Sequence, residues 1–214
     1  HFTATKPYLI FDTLVVNGSI TMDAGTTIYM HNGACIYGLG DMICNGRLDA
    51  PILIRGDRLD QLFDSVPYLY ASGSWNGIYL QAERDNNYEL HYVDILSGNV
   101  GLYCMGINKN NMPTLRMDGC RIHNHAMYGL VLLNTNASVS NTEISNCASY
   151  IALVVRMILF IPLLLLILVI PIYAFNPQPK KMRLLSLLTT YKRTNRKQSL
   201  RSIIVSSQVT SLTN

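Results

Sequence analysis

Between Leu14 and Gly56 short apolar runs alternate with turn residues. Leu14-Val15-Val16 precedes Asn17-Gly18, and Thr26-Thr27-Ile28-Tyr29-Met30 precedes Asn32-Gly33. Met42-Ile43-Cys44 precedes Asn45-Gly46, and Pro51-Ile52-Leu53-Ile54 precedes Arg55-Gly56. Runs of about three to five aliphatic and β-branched residues closed by Asn-Gly predict strands, not helices. No window of helical length before residue 150 carries a 3.6-residue period. The best helix candidate is the short stretch Asp57–Phe63.

Two patterns then repeat. Leu90-His-Tyr-Val93-Asp94-Ile95-Leu-Ser97-Gly98, Met117-Asp-Gly-Cys120-Arg121-Ile122-His-Asn124-His125 and Val139-Ser-Asn-Thr142-Glu143-Ile144-Ser-Asn146-Cys147 share an apolar residue five before a central Ile and Ser or Asn two after it. The second reads Trp75-Asn-Gly77-Ile78-Tyr-Leu80, Asn99-Val-Gly101-Leu102-Tyr-Cys104 and Met127-Tyr-Gly129-Leu130-Val-Leu132. A period in the twenties with several short strands per unit predicts a β-solenoid, whose equivalent positions stack at about 4.8 Å. Ile95, Ile122 and Ile144 should form an inward aliphatic ladder, and Ser97, Asn124 and Asn146 a polar ladder at a turn. Asp94, Arg121 and Glu143 alternate in sign and should stack outward as a charge ladder.

These residues resemble the right-handed parallel β-helix repeat proteins, the pectate-lyase-like fold. The likeness rests on Ile20-Thr-Met22-Asp-Ala-Gly25-Thr-Thr-Ile28, on Asn45-Gly46-Arg-Leu48-Asp-Ala50-Pro51-Ile52-Leu-Ile54 and on Gly73-Ser-Trp75-Asn-Gly77-Ile78. It covers about residues 14–150. It implies an all-β, right-handed parallel β-helix of about six coils, and a bacterial secreted or cell-envelope protein, often a lipoprotein. The fold hosts lyases, hydrolases, adhesins and modules without catalysis, so it implies no single activity.

Composition changes abruptly near Tyr150. All 13 acidic residues lie between Asp12 and Glu143, and all 14 glycines between Gly18 and Gly129. Residues 151–214 hold nine Lys/Arg and no acid, so the formal +4 charge hides an acidic part and a basic part. Three segments follow: a β-helix over 1–150, a hydrophobic stretch over 151–175, and a basic, disordered tail over 176–214. Ile151–Phe175 is long enough for a membrane-spanning helix, which would anchor the solenoid. Alternatively, a reading-frame shift near codon 150 produced the tail and truncated the solenoid. Under either account residues 151–214 form no further coil.

The chemistry-bearing residues are few. The five cysteines form no CxxC pair or zinc spacing, and read as small buried hydrophobes. Asp118, Arg121, His123 and His125 fall in one coil with Arg116 and are candidates for a catalytic or anion-holding cluster. Their plain reading is exposed polar residues at a turn. The long interruption Asp57–Tyr70 carries Tyr68 and Tyr70, candidate sugar-stacking residues, and leads to Trp75, which reads as packing. Asn17-Gly-Ser19 and Asn136-Ala-Ser138 match glycosylation acceptors. No metal, phosphate-loop or nucleophile-elbow motif is present, and no cofactor is implied. The basic tail lacks the aromatic interleaving of a nucleic-acid binder.

Three functions remain open from the residues. The first is a non-catalytic secreted or cell-envelope β-helix presenting a surface to a glycan or a protein. The second is a fragment of a polysaccharide lyase or glycoside hydrolase. The third is a single-pass membrane-anchored β-helix, with the membrane met through Ile151–Phe175.

Overall fold

A computed structural model describes residues 1–63, 65–81, 86–106, 114–155 and 159–163. It shows a parallel β-solenoid of six coils with three strands each. The coils are β1 (Tyr8–Ile10), β2 (Thr13–Val16) and β3 (Ile20–Asp23); then β4 (Thr27–Met30), β5 (Cys35–Gly38) and β6 (Met42–Asn45). The third coil starts with β7 (Ile52–Gly56), leaves the solenoid for a hairpin of β8 (Gln61–Phe63) and β9 (Val66–Pro67) and a 3-10 turn at Tyr68–Tyr70, then resumes with β10 (Gly77–Gln81) and β11 (Tyr88–His91). Next come β12 (Val93–Leu96), β13 (Val100–Met105) and β14 (Leu115–Asp118). The fifth coil holds β15 (Arg121–His125), β16 (Tyr128–Leu133) and β17 (Ala137–Ser140); the sixth holds β18 (Glu143–Cys147), β19 (Tyr150–Val155) and β20 (Leu159–Leu163).

Each coil gives one strand to each of three six-stranded sheets. Sheet I is β1-β4-β7-β12-β15-β18, sheet II is β2-β5-β10-β13-β16-β19, and sheet III is β3-β6-β11-β14-β17-β20. The strands expected from the Asn-Gly punctuation are β2, β4, β6 and β7. The expected helix at Asp57–Phe63 is a correction: the segment bends and then enters β8. Seven residues are too few for a helix to stand on propensity. Arg55 instead donates to the Arg58 carbonyl and Tyr68 N–H to the Asp60 carbonyl, which fixes the insertion as a turn.

The isoleucine ladder is longer than the repeats implied. Ile28, Ile54, Ile95, Ile122 and Ile144 pair rung to rung in sheet I, and none is more than 1% exposed. Ser97, Asn124 and Asn146 also stack, each with left-handed backbone at φ 67, 62 and 50, and Asn146 donates its amide to Asn124 Oδ1. Asparagine tolerates that region better than most residues, so the column turns every coil at the same corner. Gly77, Gly101 and Gly129 occupy one register in sheet II. A Cβ at Gly101 would lie 2.4 Å from Ile122 Cγ2 and 2.5 Å from the Gly129 carbonyl oxygen, so the next coil approaches too closely for a side chain.

Residues after Tyr150 require a second correction. β19 pairs in parallel with β16 and β20 with β17, completing a sixth coil where no coil was expected. Residues 151–155 and 159–163 are strand, not membrane helix; 156–158 and 164–214 lie outside the described residues. Among the described residues no helix is long and apolar enough to cross a membrane. Two physical facts explain the continuation. Ile151, Val154 and Val155 are β-branched and suit a pleated edge. Glycine is needed at this register where the next coil presses on it, and Ile151 sits on the last described rung of sheet II. Pro162, with no N–H to give, falls where the β17–β20 register shifts, as proline does at edges and bulges.

Candidate functional site

The candidate cluster spans the fourth and fifth coils and does not converge. Asp118 ends β14 in sheet III, where its Oδ1 accepts from Ser140 Oγ at 2.7 Å and Asn141 Nδ2 at 2.8 Å. Arg121 lies on the outer side of sheet I and grips Asp94 with two guanidinium nitrogens, Nε to Oδ1 at 2.8 Å. The charge column Asp94–Arg121–Glu143 has the register, outer side and alternating signs expected, but Asp94 is covered by Arg121 and buried. His123 stacks between Leu96 and Ser145, half-buried, and burial lowers its pKa against the pull of Glu143.

His125 contradicts the reading of exposed polar residues at a turn. It is wholly buried, its Nε2 lies 3.1 Å from the Ile95 carbonyl oxygen, and burial pushes its pKa down to about 4. Its register neighbour Cys147 is pushed up to about 12 by burial. A neutral imidazole beside a protonated thiol is not an activated nucleophile pair at neutral pH. Cys104 and Cys120 rise likewise to about 12, in keeping with cysteines that serve as core residues. Among the described residues no group of three or more His, Cys, Asp or Glu is placed to hold a metal ion.

The insertion is pinned to the fourth coil. Ser97 Oγ donates to the Leu69 carbonyl, while the N–H groups of Gly73 and Ser74 donate to the carbonyls of Gly98 and Ser97. Trp75 is fully buried and its Nε1 donates to the Leu96 carbonyl at 2.8 Å, so it packs the insertion onto the solenoid as expected. Tyr68 is covered by Arg58, whose Cζ stands 3.7 Å from the ring centroid and whose guanidinium is held by Asp60. Tyr70 remains exposed. The two candidate tyrosines thus differ: one face of the Tyr68 ring is already occupied by a cation. Asn136 is buried, which removes it as a glycosylation acceptor in the folded chain, whereas Asn17 is exposed.

The surface that stands apart is the outer side of sheet II. One column runs Val15, Tyr37, Tyr79, Tyr103, Val131, Leu153 from the first coil to the sixth, with Val131 alone of the six buried, and a second runs Gln81, Met105, Leu133, Val155. Neither column contains Asp, Glu, Lys, Arg or His. The outer sides of the other sheets differ: sheet I carries Arg55, Asp94, Arg121 and Glu143, and sheet III carries Glu89 and Arg116. Tyr79 and Tyr103 have ring centroids 5.7 Å apart at 42°. The Tyr79 hydroxyl lies 3.4 Å from the Asn76 carbonyl oxygen, and Tyr37 donates its hydroxyl to Gln81 Oε1. Burial, with Cys35 and Tyr103 adding to it, raises the Tyr79 pKa, so the hydroxyl is neutral at physiological pH.

The sequence repeat that contains this column was visible as Gly77-Ile78-Tyr79 and Gly101-Leu102-Tyr103, with Cys35-Ile36-Tyr37 before it. Its signal was the tyrosine two places after the glycine register, which faces outward because the residue between faces in. No protein-family model, curated protein or solved structure matches this chain.

Proposed function

We propose that the chain is a non-catalytic β-helix of the secreted or cell-envelope, pectate-lyase-like type, and that it presents the outer side of sheet II as a contact surface. The observation that carries this reading is the pair of uncharged outward columns on sheet II beside two charged sheets. Charge depletion with Tyr and Met enrichment is the composition of contact surfaces at their centre. The candidate acid-base residues supply no competing site: Asp118 is held by Ser140 and Asn141, Arg121 by Asp94, and His125 is inside the core. A glycosidase needs two carboxyl groups roughly 5 to 9.5 Å apart flanking a bond. Asp94 and Glu143 are two rungs apart with Arg121 between them, so the charge of Arg121 fills the place a sugar would need.

The reading is tested by incubating the chain with a panel of acidic and neutral polysaccharides and following unsaturated products and reducing ends. No turnover is expected. Turnover that disappears in Asp118→Ala or His123→Ala would overturn the non-catalytic reading and move the site to the fourth and fifth coils.

A further inference from the structure

Resting on the contact-surface reading, the geometry points, we propose, to a linear neutral glycan as the ligand of sheet II, laid along the solenoid axis over Tyr37, Tyr79 and Tyr103. Three observations select it. The first is periodicity. The same side chain recurs on three successive rungs, in one column, at the strand spacing of about 4.8 Å. That spacing is close to the advance of one sugar in an extended β-linked chain, so a polymer of one repeating unit meets the same surface at each step. A protein partner other than a second such solenoid has no such repeat to match.

The second is aromatic area. Tyr37, Tyr79 and Tyr103 are half-buried, and the Tyr79 and Tyr103 rings stand 5.7 Å apart at 42°, so aromatic faces recur along the column. The apolar C–H face of a sugar ring stacks on such a face, while hydroxyls at its rim find the tyrosine hydroxyls and the Gln81 amide, which already accepts from Tyr37. The third is charge. An anionic polysaccharide has no cation to meet in either column, and desolvating its carboxylates over an aliphatic and aromatic surface is unfavourable. A neutral chain incurs no such penalty.

The experiment is a titration of the whole chain with linear neutral β-linked oligosaccharides of increasing length and with acidic oligogalacturonides, followed by calorimetry. Affinity for the neutral series is expected to rise with length until the sugar spans the three tyrosine rungs and then to level. Tyr79→Ala should weaken binding at least about tenfold, as loss of a central aromatic contact does, and Tyr79→Phe by under about threefold because the ring is kept. Met105→Glu, whose side chain is half-exposed, should weaken binding without disturbing the core, and Tyr29→Ala on sheet I should not change it. Saccharide binding that ignores Tyr79→Ala and Met105→Glu would overturn the proposal, as would preference for the acidic series. So would the absence of any saccharide binding. If the chain bound no sugar but self-associated, and Met105→Glu made it monomeric, the ligand would be protein. The glycan proposal would then fail while the contact-surface reading stood; catalytic turnover would remove the contact-surface reading itself.

Discussion

Substitution of Ile122 by Ala tests the register of the solenoid at its centre. Ile122 is fully buried, between Ile95 on one rung and Ile144 on the next. The change removes three carbons, worth about 2–3 kcal/mol at roughly 0.8 kcal/mol for each buried methylene. Its neighbours in the column belong to hydrogen-bonded strands on both sides and cannot close the gap, so a cavity contribution brings the total to about 3–5 kcal/mol. The corner glycine makes the experiment sharper. Gly101→Ala places a methyl 2.4 Å from Ile122 Cγ2 and 2.5 Å from the Gly129 carbonyl oxygen, and should cost about 1–3 kcal/mol or more as an overpacked site. With Ile122 already Ala, the first conflict is gone, and those with the Gly129 carbonyl oxygen and, at 3.0 Å, with His125 Nε2 remain. Gly101→Ala should therefore cost less in that background, by an interaction energy within the usual range of about 0.5–3 kcal/mol. Urea unfolding followed by the fluorescence of Trp75, the sole tryptophan and fully buried, measures the unsubstituted chain and all three variants. A loss under about 1 kcal/mol for Ile122→Ala, or strict additivity of the pair, would refute the register.

His125 has its folded pKa lowered to about 4 from an ordinary value near 6.5, so the stability from its neutral form is present above about pH 6.5 and is lost as pH falls toward 4; the loss is about 3 kcal/mol, and urea midpoints at pH 7 and pH 4.5 should show it, with a flatter dependence in His125→Gln. Cys35 is half-exposed whereas Cys44, Cys104 and Cys120 are buried with raised pKa values, so a thiol reagent at pH 8 should modify Cys35 first, and Cys35→Ser should remove the fast phase. Hydrogen exchange should find protected amides in Tyr150–Val155, as pairing of β19 with β16 requires, and exchange there as fast as in an unstructured peptide would deny the sixth coil.

The solenoid was legible because its repeats constrain both faces at once. Ile95, Ile122 and Ile144 gave the inward register, and the alternating charges of Asp94, Arg121 and Glu143 gave the same register from the other face. What the sequence hid was depth and corner geometry. Asp94 and His125 look like surface residues in the string. They are buried because Arg121 folds over one, and because Asn124, in left-handed conformation, turns the other into the core. Composition misled at Tyr150: loss of glycine suggests loss of the coil, yet glycine is required only where a following coil presses on that register. The tyrosine column escaped notice because its members lie 42 and 24 residues apart, the first interval lengthened by the insertion, and only the rung pairing aligns them.

The contact surface is tested most directly by nuclear magnetic resonance of the tyrosine ring signals while a linear neutral oligosaccharide is added. The signals of Tyr37, Tyr79 and Tyr103 should move together and saturate together, while those of Tyr29 on sheet I and of Tyr68 and Tyr70 on the insertion stay fixed. Movement confined to Tyr68 and Tyr70, or no movement in the three stacked tyrosines at saturating sugar, would contradict the assignment of sheet II as the glycan-binding face.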